Sequence, residues 1–294
     1  ENHAFIFADF VAQERDISLE LRFSRAKAME IYKNGVRQKR QSDTQGLLKT
    51  VLFCPEDLML VRAGAAARRR FLDTALCQMR PNYARYLEEY NRLHEHKTRI
   101  LRDSEEKPSL LSMWEDFSLR MAHIGAQIIR YRAYYCRKLL KAAAAVYADI
   151  APHEVLSGVY KTVSSVTDPF ADARTIEKQL IDHVFSHKTA EIAAKSCLSG
   201  PHKDDLELLL DGRSAASFGS QGQVRTCTLS LKLAERELFF DEDGEYPVLL
   251  LDDVLSELDR RRQDFVLNRI SAGQVMITCC EDGISEKLRA GAVF

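Results

Sequence analysis

No run of apolar residues in the 294-residue chain is long enough to cross a membrane, and no secretory signal is found, so a cytoplasmic protein is expected. No CxxC pair occurs among the seven cysteines, and an odd count does not suit a disulfide framework. Reduced thiols in a reducing compartment are expected instead. Neither sign of charge is in excess. Lys and Arg number 42 against 43 Asp and Glu, which excludes a globally basic nucleic-acid binder and confines any contact with a phosphate backbone to local patches. No internal repeat or low-complexity stretch stands out beyond Ala142 to Ala145, a run of good helix former. What is present is an ordinary soluble composition, with 46% hydrophobic and 29% charged residues, enough for one large domain or two modest ones.

The most informative stretch runs from Ser217 to Asp259. A Gly-rich turn, Ser220-Gln221-Gly222-Gln223, opens an amphipathic helix, and the N–H groups and positive dipole of such a helix start suit a phosphate. An apolar run, Val248 to Leu251, then ends in Asp252 and Asp253. A buried parallel strand of this kind delivers a carboxylate to a metal ion at the carboxyl edge of its sheet. A Ser-Glu-Leu-Asp corner follows at Ser256 to Asp259. The order of the three points to an ATPase of the ABC type.

Four longer motifs carry a resemblance. They are VLFCPEDLMLVRAG with RRRFLD (Val51 to Asp73), SGPHKDDLELLLDG (Ser199 to Gly212), FGSQGQVRT (Phe218 to Thr226) and PVLLLDDVLSELD (Pro247 to Asp259). With them the chain resembles the RecF family of bacterial recombination-repair ATPases, whose heads are similar to those of SMC and Rad50 proteins. The resemblance implies an α/β fold: an ABC-type ATPase head with an inserted helical arm. It implies residues 1–73 as the β-rich part of one ATPase lobe, 74–235 as a helical lobe with the arm and signature motif, and 236–294 as the rest of the first lobe. The phosphate-binding loop GxxxxGK followed by Ser or Thr occurs nowhere between Glu1 and Phe294. In the family it lies near the N-terminus, so an internal piece of a longer protein, binding ATP poorly by itself, is expected. A complete protein without that loop is the alternative.

Periodicity fills in the elements. Ile17, Leu19, Leu21 and Phe23 alternate as in a half-buried strand, and Asn34-Gly35 predicts a hairpin with a basic return strand. From Phe71 to about Ile150 the pattern is helical. Phe117, Met121, Ile124, Ile128, Tyr131 and Tyr135 form a narrow seam against which a helix bearing Tyr83, Leu87 and Tyr90 can fold back near Lys107-Pro108. Leu206 to Leu210 reads as a strand turning at Asp211-Gly212. A helix from Leu258 to Ile270 leading to a strand from Gln274 to Cys280 makes a βαβ unit, hence parallel sheet. Residues 162–202 read as mixed.

Among candidate site residues, Asp252 is placed to hold Mg²⁺, a hard cation that takes oxygen ligands. The alternative is a strand-end residue that caps the next helix. By resemblance, Asp253 stands where related ATPases polarise the attacking water, usually with Glu, and the shorter side chain suits slow hydrolysis. Ser220, Gln221, Gly222 and Gln223 resemble the signature motif, which in ABC dimers closes over the γ-phosphate of ATP held by the opposite protomer. Only glycine at position 222 lets backbone come that close; an ordinary Ser-capped helix start is the alternative. Arg225 reads as a cation near phosphate or an exposed surface residue, and Val224 replaces a Gln common in the family. Asp259 matches the D-loop of the dimer seam, and Thr278 falls where ABC transporters place a switch His. Pro55-Glu56-Asp57 lies where the Q-loop is expected, with a helix cap at Asp57 as the alternative.

Basic candidates for DNA are Arg37, Lys39 and Arg40, then Arg68 to Arg70, then Arg130, Arg132, Arg137, Lys138 and Lys141 on the long helix. His183 and His187 have metal-ligand spacing without a third ligand, so a solvated helix face is expected there, as for His94 and His96. The resemblance implies ATP and Mg²⁺ as cofactors, an ATP-dependent homodimer on gapped or single-stranded DNA, and RecR, RecO and, indirectly, RecA as partners. A non-catalytic DNA- or partner-binding module and an ABC transporter subunit are the alternatives.

Overall fold

The computed structural model describes residues 3–25, 27–270 and 272–279. The chain opens with a four-stranded antiparallel meander. Strands β1 (His3–Ala12) and β2 (Arg15–Ser24) pair from His3 opposite Ser24 to Ala12 opposite Arg15, followed by β3 (Lys27–Lys33) and β4 (Val36–Arg37). Both two-residue turns have positive φ, at Gln13 and Glu14 and at Asn34 and Gly35, as a primed hairpin turn requires. The Asn-Gly signal thus marked its hairpin, but the basic return strand is only two residues long. The alternating residues of β2 lie in one strand, yet of that set Ile17 alone is fully buried and Phe23 is exposed.

A short strand, β5 (Thr50–Phe53), leads through a single turn at Pro55–Met59 into three helices. Helix α1 (Ala65–Met79) begins before Phe71, because Gly64 holds an extended conformation and alanines fill the first turn. Helix α2 (Pro81–Asp103) has Pro at its first position, where a missing N–H costs nothing. Helix α3 (Trp114–Ile150) folds back along it, making the expected hairpin. Its seam is the predicted one: Met121, Ile124, Ile128 and Tyr135 are buried, and Tyr131 packs edge-on to Tyr83 at 5.6 Å between ring centres.

Residues 156–243 add β6 (Leu156–Lys161), α4 (Ala173–Ser186), α5 (Lys188–Ala194), β7 (Asp205–Leu210), β8 (Arg213–Ser214), the one-turn α6 (Ala215–Phe218) and α7 (Gln221–Asp243). Strands β6, β7 and β8 form an antiparallel sheet, with Asp211 and Gly212 turning at positive φ. Last come β9 (Val248–Asp252), α8 (Arg260–Arg269) and β10 (Val275–Thr278). The third sheet is parallel, in order β10-β9-β5, with Phe53 and Ile277 both opposite Leu251 and Thr278 opposite Asp252. That is the predicted βαβ crossover, with a shorter helix and strand than expected because Asp259 caps α8; Cys280 lies outside the described residues. Helix α7 is buried almost throughout, packed against α3 and beneath β5. It runs on to Asp243, past the lobe boundary expected at residue 235.

The Ser199 to Gly212 motif is built into this core. Gly200 has φ of 127°, and a Cβ there would meet the Tyr90 hydroxyl, which hydrogen-bonds His202 Nδ1 at 2.7 Å. Asp204 is fully buried and accepts the Tyr160 hydroxyl, while Arg132 donates to the Pro201 carbonyl at 2.7 Å and to both oxygens of Asp73 at 2.9 Å. Burial pushes Asp204 up to about 7, against the pull of Arg132 and Tyr160. Arg132 is therefore not a DNA contact: at 3% side-chain exposure it is a core cation shared by two carboxylates. Arg68 and Arg69 are likewise engaged inside the protein rather than free for DNA. Arg68 pairs with Asp205 at 2.7 Å and Arg69 donates to the Asp204 carbonyl at 2.7 Å, fastening α1 to β7. His94 and His183 are not on solvated faces either. His94 packs 4.4 Å from the ring of His202, and His183 stacks on His187 and bonds Ser199. Burial lowers both His94 and His183 from the usual imidazole value.

Candidate nucleotide and metal site

Two clusters collect the predicted residues. The first is the start of α7. Ser220 is the N-cap: its Oγ accepts the Gln223 amide at 3.2 Å, and the Gln223 side chain accepts the Ser220 amide at 2.7 Å. This reciprocal pair is a capping box, so Ser220 and Gln223 first build the helix start. Gln223 also donates to Glu154 at 2.9 Å, tying the loop to the end of α3. Gly222 sits on the first turn with open space beside it; an added Cβ would meet only the Arg262 tip, at 3.3 Å. Val224 is buried, which accounts for an apolar residue at that position. Gln221 is exposed.

Arg262 joins this loop to the Ser-Glu-Leu-Asp corner. It donates to the Gly222 carbonyl at 3.0 Å and to the Thr226 hydroxyl at 2.9 Å, while pairing with Asp259. Asp259 caps α8 by accepting the Arg262 amide at 3.0 Å. Partial burial works to raise the Asp259 carboxyl, but the bonds from Arg262 outweigh it and hold it below the ordinary value. Ser220, Gly222, Gln223 and Asp259 thus line one cleft of about 520 Å³, together with His153, Glu154, Arg261 and Arg262. Sequence reasoning missed the two arginines. The run Arg260-Arg261-Arg262 directly after the D-loop Asp was the available signal.

Arg225 does not line that cleft and bonds both the carbonyl and the carboxylate of Glu257. It is neither a free cation nor a fully exposed one; it clamps α7 to the Leu255–Glu257 turn.

The second cluster lies at the carboxyl edge of the parallel sheet. Asp252 ends β9 with its side chain exposed, and the Thr278 hydroxyl donates to Asp252 Oδ1 at 2.7 Å. The Asp253 amide donates to the Thr278 carbonyl at 3.1 Å and to its Oγ1 at 3.0 Å. Asp253 has φ of 50°, a left-handed conformation that Asp tolerates better than most side chains, and Ser256 Oγ reaches its carbonyl at 2.7 Å. Asp252 does not cap α8, which has its own cap at Asp259. One oxygen is oriented by Thr278 and the other has no hydrogen bond among the described residues, an arrangement suited to a hard cation held with additional oxygens. At the expected Q-loop, Asp57 is committed: it accepts the Cys54 amide at 3.1 Å and pairs with the buried Lys232 at 3.2 Å, leaving Glu56 as the exposed carboxylate. No set of three or more His, Cys, Asp or Glu side chains with metal-binding geometry exists among the described residues, so any cation here draws on groups beyond these carboxylates.

No protein-family profile matches the chain. Curated relatives do. The chain is 32% identical over 286 residues to the DNA replication and repair protein RecF of Acetivibrio thermocellus, a match that covers 97% of this chain and 78% of the relative. It is 38% identical over 280 residues to the RecF of Halothermothrix orenii, covering 90% of this chain and 71% of the relative. The chain belongs to the RecF family. Among solved structures, the recombination mediator protein RecF with ATP, of the RecFOR pathway, superposes with a TM-score of 0.88 at 29% identity, covering 96% of this chain and 76% of that one. The RecF structure designated ATPrS gives 0.89 at 28% identity. The α/β ABC-type head with its helical arm is therefore the fold of this chain, and RecF membership displaces the transporter alternative. No helix among the described residues is long and apolar enough to cross a membrane.

Proposed function

We propose that this RecF-family protein acts in DNA repair and replication as an ATP-dependent DNA-binding clamp. Two heads close on ATP and Mg²⁺, grip gapped or single-stranded DNA, and release it on hydrolysis. In this reading residues 1–73 and 236–294 form one lobe, a division supported by the pairing of β5 with β9, and 74–235 form the other. The observation that carries the reading is the separation of function-bearing residues into two open clusters. One offers an open cleft at a helix start and the other offers an oriented carboxylate, and each is half of a site.

Asp252 would hold Mg²⁺, which on binding neutralises phosphate charge. Thr278 fixes the orientation of that carboxylate, and Asp253, whose backbone Thr278 also anchors, would accept a proton from water. Gly222 and the Ser220 cap present the α7 dipole to phosphate, with Arg261 and Arg262 adding positive charge to the cleft wall. By the RecFOR designation of its relatives, RecR, RecO and DNA are the proposed partners, with help in loading RecA as the outcome. The test joins the phosphate-binding segment of a curated relative ahead of Glu1 and follows size-exclusion elution with ATP and Mg²⁺. Dimerisation that Asp252→Asn removes is expected; a monomer under all conditions refutes the clamp.

A further inference from the structure

A second pocket, of about 490 Å³, opens between α1, α3 and α7, away from both clusters. Its walls are mostly apolar, and three tyrosines of α3 (Tyr131, Tyr134 and Tyr135) face it within little more than one turn. Lys138 and Lys141 stand at its mouth. Beside it, Tyr134 meets Phe170 edge to face at 5.4 Å between centres, and the Arg137 guanidinium lies 4.9 Å from both rings. Tyr134 and Phe170 are 39% and 36% exposed, unusual for rings that serve only as core.

Charge separates this surface from the other basic clusters. Arg68, Arg69, Arg80 and Arg132 are each engaged by a carboxylate or carbonyl. Arg137, Lys138 and Lys141 form no ion pair among the described residues. On the opposing wall Glu242 is ion-paired with Arg80 and only feels the charge of Lys138 at longer range, and Asp241 stands beside it. Flat aromatic walls beside free cations match an unstacked base on a phosphate chain: rings take the base face, and cations take the backbone without reading sequence. Duplex DNA presents a base to a pocket only after it is flipped out of the stack, at a cost that a single strand largely avoids.

We infer that the pocket of Tyr131, Tyr134 and Tyr135, with the Tyr134–Phe170 shelf and Lys138 and Lys141 at its mouth, is a base-stacking site for single-stranded nucleic acid. It rests on the proposed DNA-binding role and adds to it where an unpaired base is held. Binding at this site is independent of nucleotide, because it shares no residue with the α7 cleft or the β9 edge.

The experiment measures fluorescence anisotropy of this chain with oligothymidylate and with the same strand carrying abasic sites. Tyr134→Ala is the principal variant, since a partly exposed ring can be removed without opening the core. It is expected to weaken oligothymidylate binding by about tenfold while leaving the abasic strand unchanged. Lys138→Gln with Lys141→Gln is expected to weaken both strands and flatten the salt dependence. Photocrosslinking with 5-iodouracil strands, read by mass spectrometry, is expected to label Tyr131, Tyr134 or Phe170. Equal affinity for the two strands in the parent chain, or crosslinks confined to other elements, overturns the base site while leaving DNA binding intact. Displacement of both strands alike by an acidic peptide that crosslinks to the same tyrosines assigns the pocket to a protein partner, which also overturns it. Failure of either strand to bind overturns the base site, which needs no nucleotide, and leaves the ATP-dependent clamp to its own dimerisation test.

Discussion

Two motifs that look alike in the sequence, Ser199 to Gly212 and Phe218 to Thr226, have opposite fates in the structure. Each contains small residues, polar groups and two glycines. The first is sunk into the core, where Arg132 and Tyr160 both donate to Asp204 Oδ2, His202 bonds the Tyr90 hydroxyl, and Gly200 makes room for that same tyrosine. The second ends in an open cleft, with Gly222 backed only by the tip of Arg262. A family-specific motif can thus be scaffold rather than site. What distinguishes them is whether the polar atoms find partners inside the chain or are left facing outward.

The largest effect expected on this comparison falls on the scaffold. Arg132→Leu leaves Asp73 and the buried Asp204 without their shared cation, and urea unfolding should show a loss of about 3–5 kcal/mol. A loss below about 1 kcal/mol would mean that the network is not what holds the motif down.

The next prediction uses a second buried carboxyl. Glu235 on α7 lies among Lys232, Asp57 and Tyr135, and burial pushes it up to about 7. Its unfolded value is about 4.3, so between these values the folded state keeps a proton that the unfolded chain releases. The stability from this group is complete below about pH 4.3 and is lost as pH rises through about 7. Glu235→Gln should flatten the slope of urea stability in that window by up to about 1.4 kcal/mol per pH unit. An unchanged slope would show that Glu235 is ionised in the folded protein.

On the open side the expected costs are smaller. Ser220→Ala removes the α7 cap and should cost about 1 kcal/mol. Gly222→Ala should change stability by less than about 1 kcal/mol, because only a flexible arginine tip must give way. If Gly222→Ala proves as damaging as Arg132→Leu, the contrast between open and buried motifs fails.

The parallel sheet, the arm hairpin and the cap at Ser220 were legible in the sequence because each rests on local signals: an apolar run before Asp252, a narrow seam from Phe117 to Tyr135, and Ser followed by Gln at the third helical position. The fates of charged residues were not. Arg68, Arg69 and Arg132 read as a surface for phosphate, but their partners Asp205, Asp204 and Asp73 lie 137, 135 and 59 residues away in the chain. Periodicity along one element carries no information about such contacts. The cleft was half legible for the same reason: Gly222 and Asp259 were visible as motif members, while Arg262, which joins them, becomes meaningful only once α8 packs beside α7.

The most direct measurement of the two-cluster clamp is complementation between variants of the form carrying the phosphate-binding segment. Gly222→Trp blocks one cluster and Asp252→Asn disables the other, so each alone should remain monomeric with ATP and Mg²⁺ in sedimentation velocity. Mixed together, a heterodimer pairs the intact Asp252 of one subunit with the intact Gly222 of the other, and ATP-dependent dimer should return. Persistent monomer in the mixture, alongside dimerisation of the parent, would contradict a site shared between two molecules.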